Sequence, residues 1–169
     1  MSACPAPQPA LTIQTERPQD GPQIDALIAR AFGPGRYAKA SERVREFADF
    51  APELSAVAWS DGRPLGCARM WRVRVDGRPV TFLGPFAVEQ GERNAGFGQR
   101  LIERACEAAA AAGETHVLLV GDEAYFGRVG FSNSLGRRVV MPGPVDQRRV
   151  LARELLAGAG PLSGAITPL

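Results

Sequence analysis

Along this chain the apolar positions change period twice, and each change marks a change of element. Residues 11–15 alternate apolar and polar side chains and predict a first strand. Ile24, Leu27, Ile28 and Ala31 then recur at helical spacing. They predict a helix capped by Asp20 and running to Phe32, where Gly33-Pro34-Gly35 stops it. Val44, Phe47 and Phe50 predict a second helix, capped by Ser41 and closed by Pro52. From there the period falls to two. Residues 54–59, 65–75 and 79–88 predict three long strands. Copies of Asp-Gly-Arg-Pro at 61–64 and 76–79 join them, and Asp-Gly pairs favour tight hairpins.

A polar stretch at 89–95 precedes a helix over 96–112, striped by Leu101, Ile102, Ala105, Ala109 and Ala112 and stopped by Gly113. Residues 115–120 form a continuous apolar run, the pattern of a strand covered on both faces. A short helix at 122–128 and a strand at 138–141 follow. The tail at 146–157 reads two ways. Val150, Leu151, Leu155 and Leu156 suit a helix, whereas Pro142 and Pro144 suit a hairpin before it. Helices, an antiparallel meander and a strand–helix–strand unit make an α/β (α+β) fold with a mixed sheet.

Composition narrows the chemistry. At 169 residues, with 45% apolar and 22% charged side chains, the chain suits one soluble globular domain. Residues 1–10, rich in proline and small side chains, read as a flexible lead to a domain over 11–169. With no signal-peptide pattern and no apolar run of spanning length, the expected location is cytoplasmic. A net charge of +2 is too mild to call for nucleic acid or a membrane as partner. The only lysine is Lys39, so the Gly-Lys-Ser/Thr of a phosphate-binding P-loop is absent, and Schiff-base chemistry has one polar-flanked candidate. His116 is the sole histidine, and Cys4, Cys67 and Cys106 are scattered. That arrangement supports neither a paired zinc site nor a disulfide framework, and no metal is expected. No Gly-x-Ser-x-Gly elbow exists to recruit His116, which reads as structural, and Cys67 and Cys106 read as buried small hydrophobes.

One motif carries more. Arg93-Asn-Ala-Gly96-Phe-Gly98 follows a predicted strand and opens a predicted helix, where unpaired N–H groups and the helix dipole favour an anion such as a diphosphate. The same pattern recurs at 30–35 and 63–68, but the first copy ends a helix and the second sits at a hairpin. A dinucleotide fingerprint fails because its third glycine would fall on Leu101.

Phe82-Leu-Gly-Pro-Phe-Ala-Val88, Arg93 to Gly98, Val117-Leu-Leu-Val-Gly-Asp122 and Ala124-Tyr-Phe-Gly-Arg-Val-Gly-Phe131 stand in this order. Together they resemble the GCN5-related N-acetyltransferase (GNAT) superfamily, nearest its YhbS-like branch. The resemblance implies a single domain with a mostly antiparallel sheet, a splayed central strand pair and helices on both faces. It implies acetyl-CoA as co-substrate, with pantetheine between the splayed strands, and a small-molecule or peptide amine as acceptor. A homodimer is left open.

The resemblance places the cofactor on Phe86, Ala87, Val88, Arg93, Asn94, Ala95, Gly96, Phe97, Gly98, Gln99, Phe126 and Arg128. Pro85 has no N–H, so Phe86 and Val88 are the expected donors toward the thioester. Arg100 is a further phosphate candidate. Three positions depart from the family pattern. Asn94 replaces a glycine, Gly121 replaces a frequent asparagine, and Phe126 stands where the usual acid tyrosine would be, with the hydroxyl one residue earlier on Tyr125. Tyr125 is the candidate general acid, and Glu89 and Glu92 are candidates for the base. The leading reading is direct transfer of an acyl group to an amine. A non-catalytic acyl-CoA-binding module is the alternative kept open by Phe126, with a CoA-independent interaction protein behind it.

Overall fold

The computed structural model describes residues 10–34, 39–92 and 96–169. The chain enters on β1 (Thr12–Thr15) and α1 (Gly21–Phe32), then passes through α2 (Ala40–Phe47) and the short β2 (Asp49–Phe50). A meander of β3 (Ala56–Ser60), β4 (Arg63–Val75) and β5 (Arg78–Val88) follows. Next come α3 (Phe97–Ala111), β6 (His116–Val120) and two short helices, α4 (Glu123–Phe126) and α5 (Asn133–Gly136). The chain finishes with β7 (Arg138–Val140), β8 (Val150–Glu154) and β9 (Ser163–Thr167).

The two Asp-Gly pairs set the meander. Asp61 and Gly62 have φ of 50° and 71°, and Asp76 and Gly77 have 49° and 77°. Positive φ at both central residues gives the type I′ turn, whose twist matches that of the strands it joins. β5 covers one edge of β4, so β3, β2 and β9 share the other edge along its length. The strand order is β1-β3-β4-β5-β6-β8, and among the described residues only β5–β6 and β7–β9 are parallel.

Alternation along the strands sends side chains into separate cores on the two faces. Ala56, Ala58, Ala68 and Met70 meet Phe97, Leu101, Ile102 and Ala105 of α3. Val57, between Ala56 and Ala58, and Cys67, next to Ala68, meet Ile24, Leu27 and Ile28 of α1. A third cluster joins Ala40 and Val44 of α2 to Val73, Phe82 and Leu118. β6 contributes Val117 and Leu119 to one core and Leu118 to another, as its continuous apolar run predicts.

Three local expectations are corrected and one open reading is decided. Asp20 stands at the N-cap position of α1 without capping it. Its carboxylate accepts from the backbone N–H of Arg17 at 2.9 Å and from the Arg17 guanidinium. Burial works to raise its pKa, but the Arg17 contacts outweigh burial and hold it below the ordinary value. Ser41 lies inside α2, and Lys39 takes the cap position. The same helix ends at Phe47 because Phe50 pairs with Trp71 across β2–β4, ring centroids 4.8 Å apart. The tail, which reads two ways from sequence, is strand: β8 pairs with β6 from His116↔Glu154 to Val120↔Val150.

The spare nucleophiles are structural. His116 is fully buried, with Nε2 2.6 Å from the Gly160 carbonyl and Nδ1 3.0 Å from the Thr115 hydroxyl. A carbonyl only accepts, so Nε2 carries a proton, while Nδ1 and the Thr115 hydroxyl share the other hydrogen bond. Desolvation pushes the Cys67 and Cys106 thiols up to about 12, which leaves them unreactive. Among the described residues no helix is long and apolar enough to cross a membrane.

Candidate functional site

β5 and β6 pair at only two positions, Thr81↔Val117 and Phe82↔Leu118, and then part. The cause on β5 is a bulge. Gly84 and Pro85 together face the single residue Arg69 between the pairs Ala68↔Phe86 and Met70↔Leu83. The Trp71 indole N–H donates to the Gly84 carbonyl at 2.5 Å. On the other arm, the Gly121 N–H donates to the Arg149 carbonyl at 2.9 Å, drawing the end of β6 away from β5. The fork opens a cleft of about 760 Å³.

The ladder sets which amides face this cleft. Glu89 N–H donates to the Leu65 carbonyl at 2.8 Å, so that amide points to β4. Strand alternation then turns the N–H groups of Phe86 and Val88 to the opposite edge, toward the fork.

Three aromatic rings form one wall. Phe86 lies 6.1 Å from Tyr125 and 5.9 Å from Phe126, and Tyr125 meets Phe126 edge-on at 5.0 Å. The first turn of α3 borders them. Its N-cap, Gly96, has φ of 81°, makes no side-chain capping bond and is followed by no acidic residue in the first turn. The amides of Phe97, Gly98 and Gln99 thus lack intrahelical acceptors, and the dipole favours an anion there. Gly98 is glycine for reasons of space, since a Cβ would sit 2.7 Å from the Tyr125 hydroxyl and 3.1 Å from the Phe86 ring. Burial raises the Tyr125 phenol above its ordinary value, with Arg128 partly opposing. Near neutral pH it is therefore a proton donor.

Gly121 and Phe126 explain each other. A Cβ at Gly121 would lie 2.4 Å from the Phe126 ring, so an asparagine at that position could not coexist with this ring position.

The model of the acetyltransferase (GNAT) family matches residues 22–131. The chain belongs to the GNAT family. It is 32% identical to the N-acetyltransferase YhbS of Escherichia coli K12 over 124 residues, covering 72% of this chain and 73% of that protein. A crystal structure of E. coli YhbS in complex with CoA superposes with TM-score 0.73 and 24% identity, covering 98% of this chain and 92% of that one. A GNAT acetyltransferase from Brucella melitensis in complex with acetyl-CoA gives TM-score 0.69 and 25% identity, covering 94% and 95%. Their shared fold matches the single mixed domain with a splayed strand pair.

Within this GNAT fold the residues singled out from sequence separate into groups. Phe86, Ala87, Val88, Gly98, Tyr125 and Phe126 line the cleft together. Gly96 and Gln99 flank the α3 turn, but the Phe97 side chain points into the core beneath the helix. Arg128 is exposed and outside the cleft lining. Glu89 is also outside the lining, and its carboxylate is held 2.9 Å from the Arg30 guanidinium. Arg93, Asn94 and Ala95 lie outside the described residues. The offset between Tyr125 and Phe126 does not carry either away from the cleft, because a single turn of α4 presents both rings to it. The two N-terminal helices and the C-terminal tail are the segments expected from sequence to shape the acceptor side, but sequence reasoning gave no binding role to Lys39, Arg45 and Arg149, which also line the cleft. Only tertiary structure brings residues so distant in sequence to one cleft.

Proposed function

We propose that this protein transfers an acetyl group from acetyl-CoA to an amine by direct attack, without a covalent enzyme intermediate. The fork between β5 and β6 carries the reading: a cleft with inward amides on one arm and an uncapped helix N-terminus at its edge fits an extended thioester with a diphosphate. Acetyl-CoA supplies an activated acyl group with a thiol as leaving group. The Phe86 and Val88 N–H groups would meet the oxygen where negative charge develops. The turn from Arg93 to Gln99 would hold the diphosphate. The neutral acceptor nitrogen bonds to the acyl carbon and gives up one N–H proton to water, the carbon–sulfur bond breaks, and Tyr125 gives its proton to the departing sulfur and is reprotonated from solvent. We place this activity in the domain over residues 11–169 and in the cytoplasm.

Two measurements together test the reading. Millimolar acetyl-CoA is expected to raise Tm, since a ligand selective for the folded state stabilises it by mass action. An amine panel is expected to accelerate release of free thiol. A shift in Tm with no thiol release from any amine would mark a binding module, and no shift would sink the reading.

Tyr125→Phe is expected to lower kcat by about 10- to 100-fold and leave the acetyl-CoA KM nearly unchanged. A general acid contributes ~10²–10⁴-fold, and a thiol with pKa of roughly 8.5 leaves easily enough to need little help. With the phenol raised by burial, the alkaline limb of the wild-type kcat profile should begin above the ordinary tyrosine range. Full turnover in Tyr125→Phe together with faster turnover in Phe126→Tyr would assign the proton to position 126 instead.

A further inference from the structure

We infer that the acceptor is an amine that also carries a carboxylate, gripped by the Lys39 ammonium and the Arg149 guanidinium on the cleft wall. This rests on the acyl transfer proposed above. The two ends of the cleft belong to opposite faces of the sheet. Gly98 and the α3 N-terminus lie on the face packed by α3. Lys39 leads into α2, whose Ala40 and Val44 pack on the other face, and Val145, close before Arg149, packs on that same cluster. The diphosphate end and the Lys39–Arg149 end are therefore distinct, and the acceptor has the second one to enter.

The charges on the lining are unbalanced. Lys39, Arg45 and Arg149 face two carboxylates, Asp122 and Asp146. Both carboxylates are engaged elsewhere. Asp122 accepts from the Ala124 N–H at 3.1 Å as the cap of α4. Asp146 accepts from the Arg148 backbone and pairs with the Arg148 guanidinium at 2.9 Å. On the floor, Arg45 is ion-paired with Glu42. Lys39 rests over the Phe32 ring, 5.2 Å from its centroid. Among the described residues neither Lys39 nor Arg149 makes a salt-bridge contact, and the only carboxylate on which Arg149 acts at longer range is Asp146, which is already held by Arg148. The sequence closes the remaining gap, because segments 1–9, 35–38 and 93–95 contain no Asp or Glu that could supply one.

Two unpaired cations beside an apolar surface of Phe32, Pro144 and Val145 suit a carboxylate attached to an apolar body. They also act on the amine. Positive charge nearby disfavours the ammonium form, so the same residues that hold the carboxylate raise the fraction of neutral nucleophile. That role needs no carboxylate base, in keeping with Glu89 being tied to Arg30.

The test compares amines that differ only by the carboxylate: phenylalanine against phenethylamine, and leucine against isoamylamine, with thiol release as readout. The carboxylate-bearing member of each pair is expected to have a kcat/KM at least ~10-fold higher. Arg149→Gln and Lys39→Gln, both at exposed side chains, should each lower kcat/KM for phenylalanine by ~10–100-fold, chiefly through KM. Phenethylamine, which has no carboxylate to lose a contact, should fall by much less than phenylalanine, and the acetyl-CoA KM should stay unchanged. If acetyl-CoA still raises Tm but the pairs react equally, or no pair reacts, the carboxylate inference falls and the cofactor reading stands. If acetyl-CoA neither binds nor is cleaved, both fall.

Discussion

Gly96→Asp is expected to weaken acetyl-CoA binding by about 100-fold, while Gly33→Asp leaves it nearly unchanged. The two glycines are alike in the open space around them. Gly96 has φ of 81° and Gly33 of 65°, and a Cβ at either would meet nothing within 4 Å. The space is alike but the backbone is not: Gly96 is left-handed with ψ of -4°, which aspartate tolerates, whereas Gly33 has ψ of -172°, a region reserved for glycine, so the comparison is made on acetyl-CoA affinity of the folded variants and not on Tm. At Gly96 the new carboxylate stands at the N-cap of α3, where the uncapped amides would otherwise hold a diphosphate. Two unit charges about 4 Å apart repel by ~4 kcal/mol at an effective dielectric near 20, and exposure to solvent reduces this to ~3 kcal/mol. That difference corresponds to roughly 100-fold in affinity. At Gly33 the carboxylate sits at the C-terminal end of α1. Isothermal titration of acetyl-CoA into each variant settles the comparison. Equal losses at both positions would move the anion subsite away from α3.

Gly121→Asn is expected to lower Tm by about 4–8 °C and kcat by at least ~10-fold. The added Cβ would press 2.4 Å and 2.7 Å from two atoms of the Phe126 ring and 3.1 Å from a Leu119 methyl. Overpacking of this kind costs ~1–3 kcal/mol, and a chain of this size loses about 2–4 °C per kcal/mol. Phe126 cannot withdraw freely, because its ring is held edge-on by Phe86, Tyr125 and Phe131. Displacing it disturbs the whole aromatic wall, hence the loss of turnover. Combining Gly121→Asn with Phe126→Ala should recover Tm relative to the sum of the single changes. Simple additivity in that double-mutant cycle would mean the two side chains do not compete for space.

What the sequence made legible follows from how locally each feature is determined. The Asp-Gly turns at 61–62 and 76–77 were readable because positive φ is a property of two adjacent residues. The Gly84-Pro85 interruption was readable for a similar reason, since a proline cannot serve the ladder. β8 was not, because Val150-Leu-Ala-Arg-Glu154 is built from residues that tolerate a helix, and its pairing with β6 decides the outcome. β9 has a single buried side chain, Ile166, and exists because the ends of β4 and β7 offer free edges. In the site, the cofactor half lies in one stretch from Phe86 to Gln99 and carried a motif. The acceptor half is assembled from the end of α1, the start of α2 and the segment before β8, and no window of sequence contains it.

Lys39 is the chain's only side-chain amine, since every other basic residue apart from His116 is arginine. Guanidinium groups resist the acylating reagents that modify lysine near neutral pH. A fluorophore delivered as an amine-reactive ester will therefore attach, besides the terminal α-amine, to one side chain, and that side chain stands on the wall of the cleft above Phe32. The protein thus carries its own labelling address. Its rate of modification, read with and without acetyl-CoA or an amine, turns occupancy of the cleft into an optical signal without an engineered cysteine.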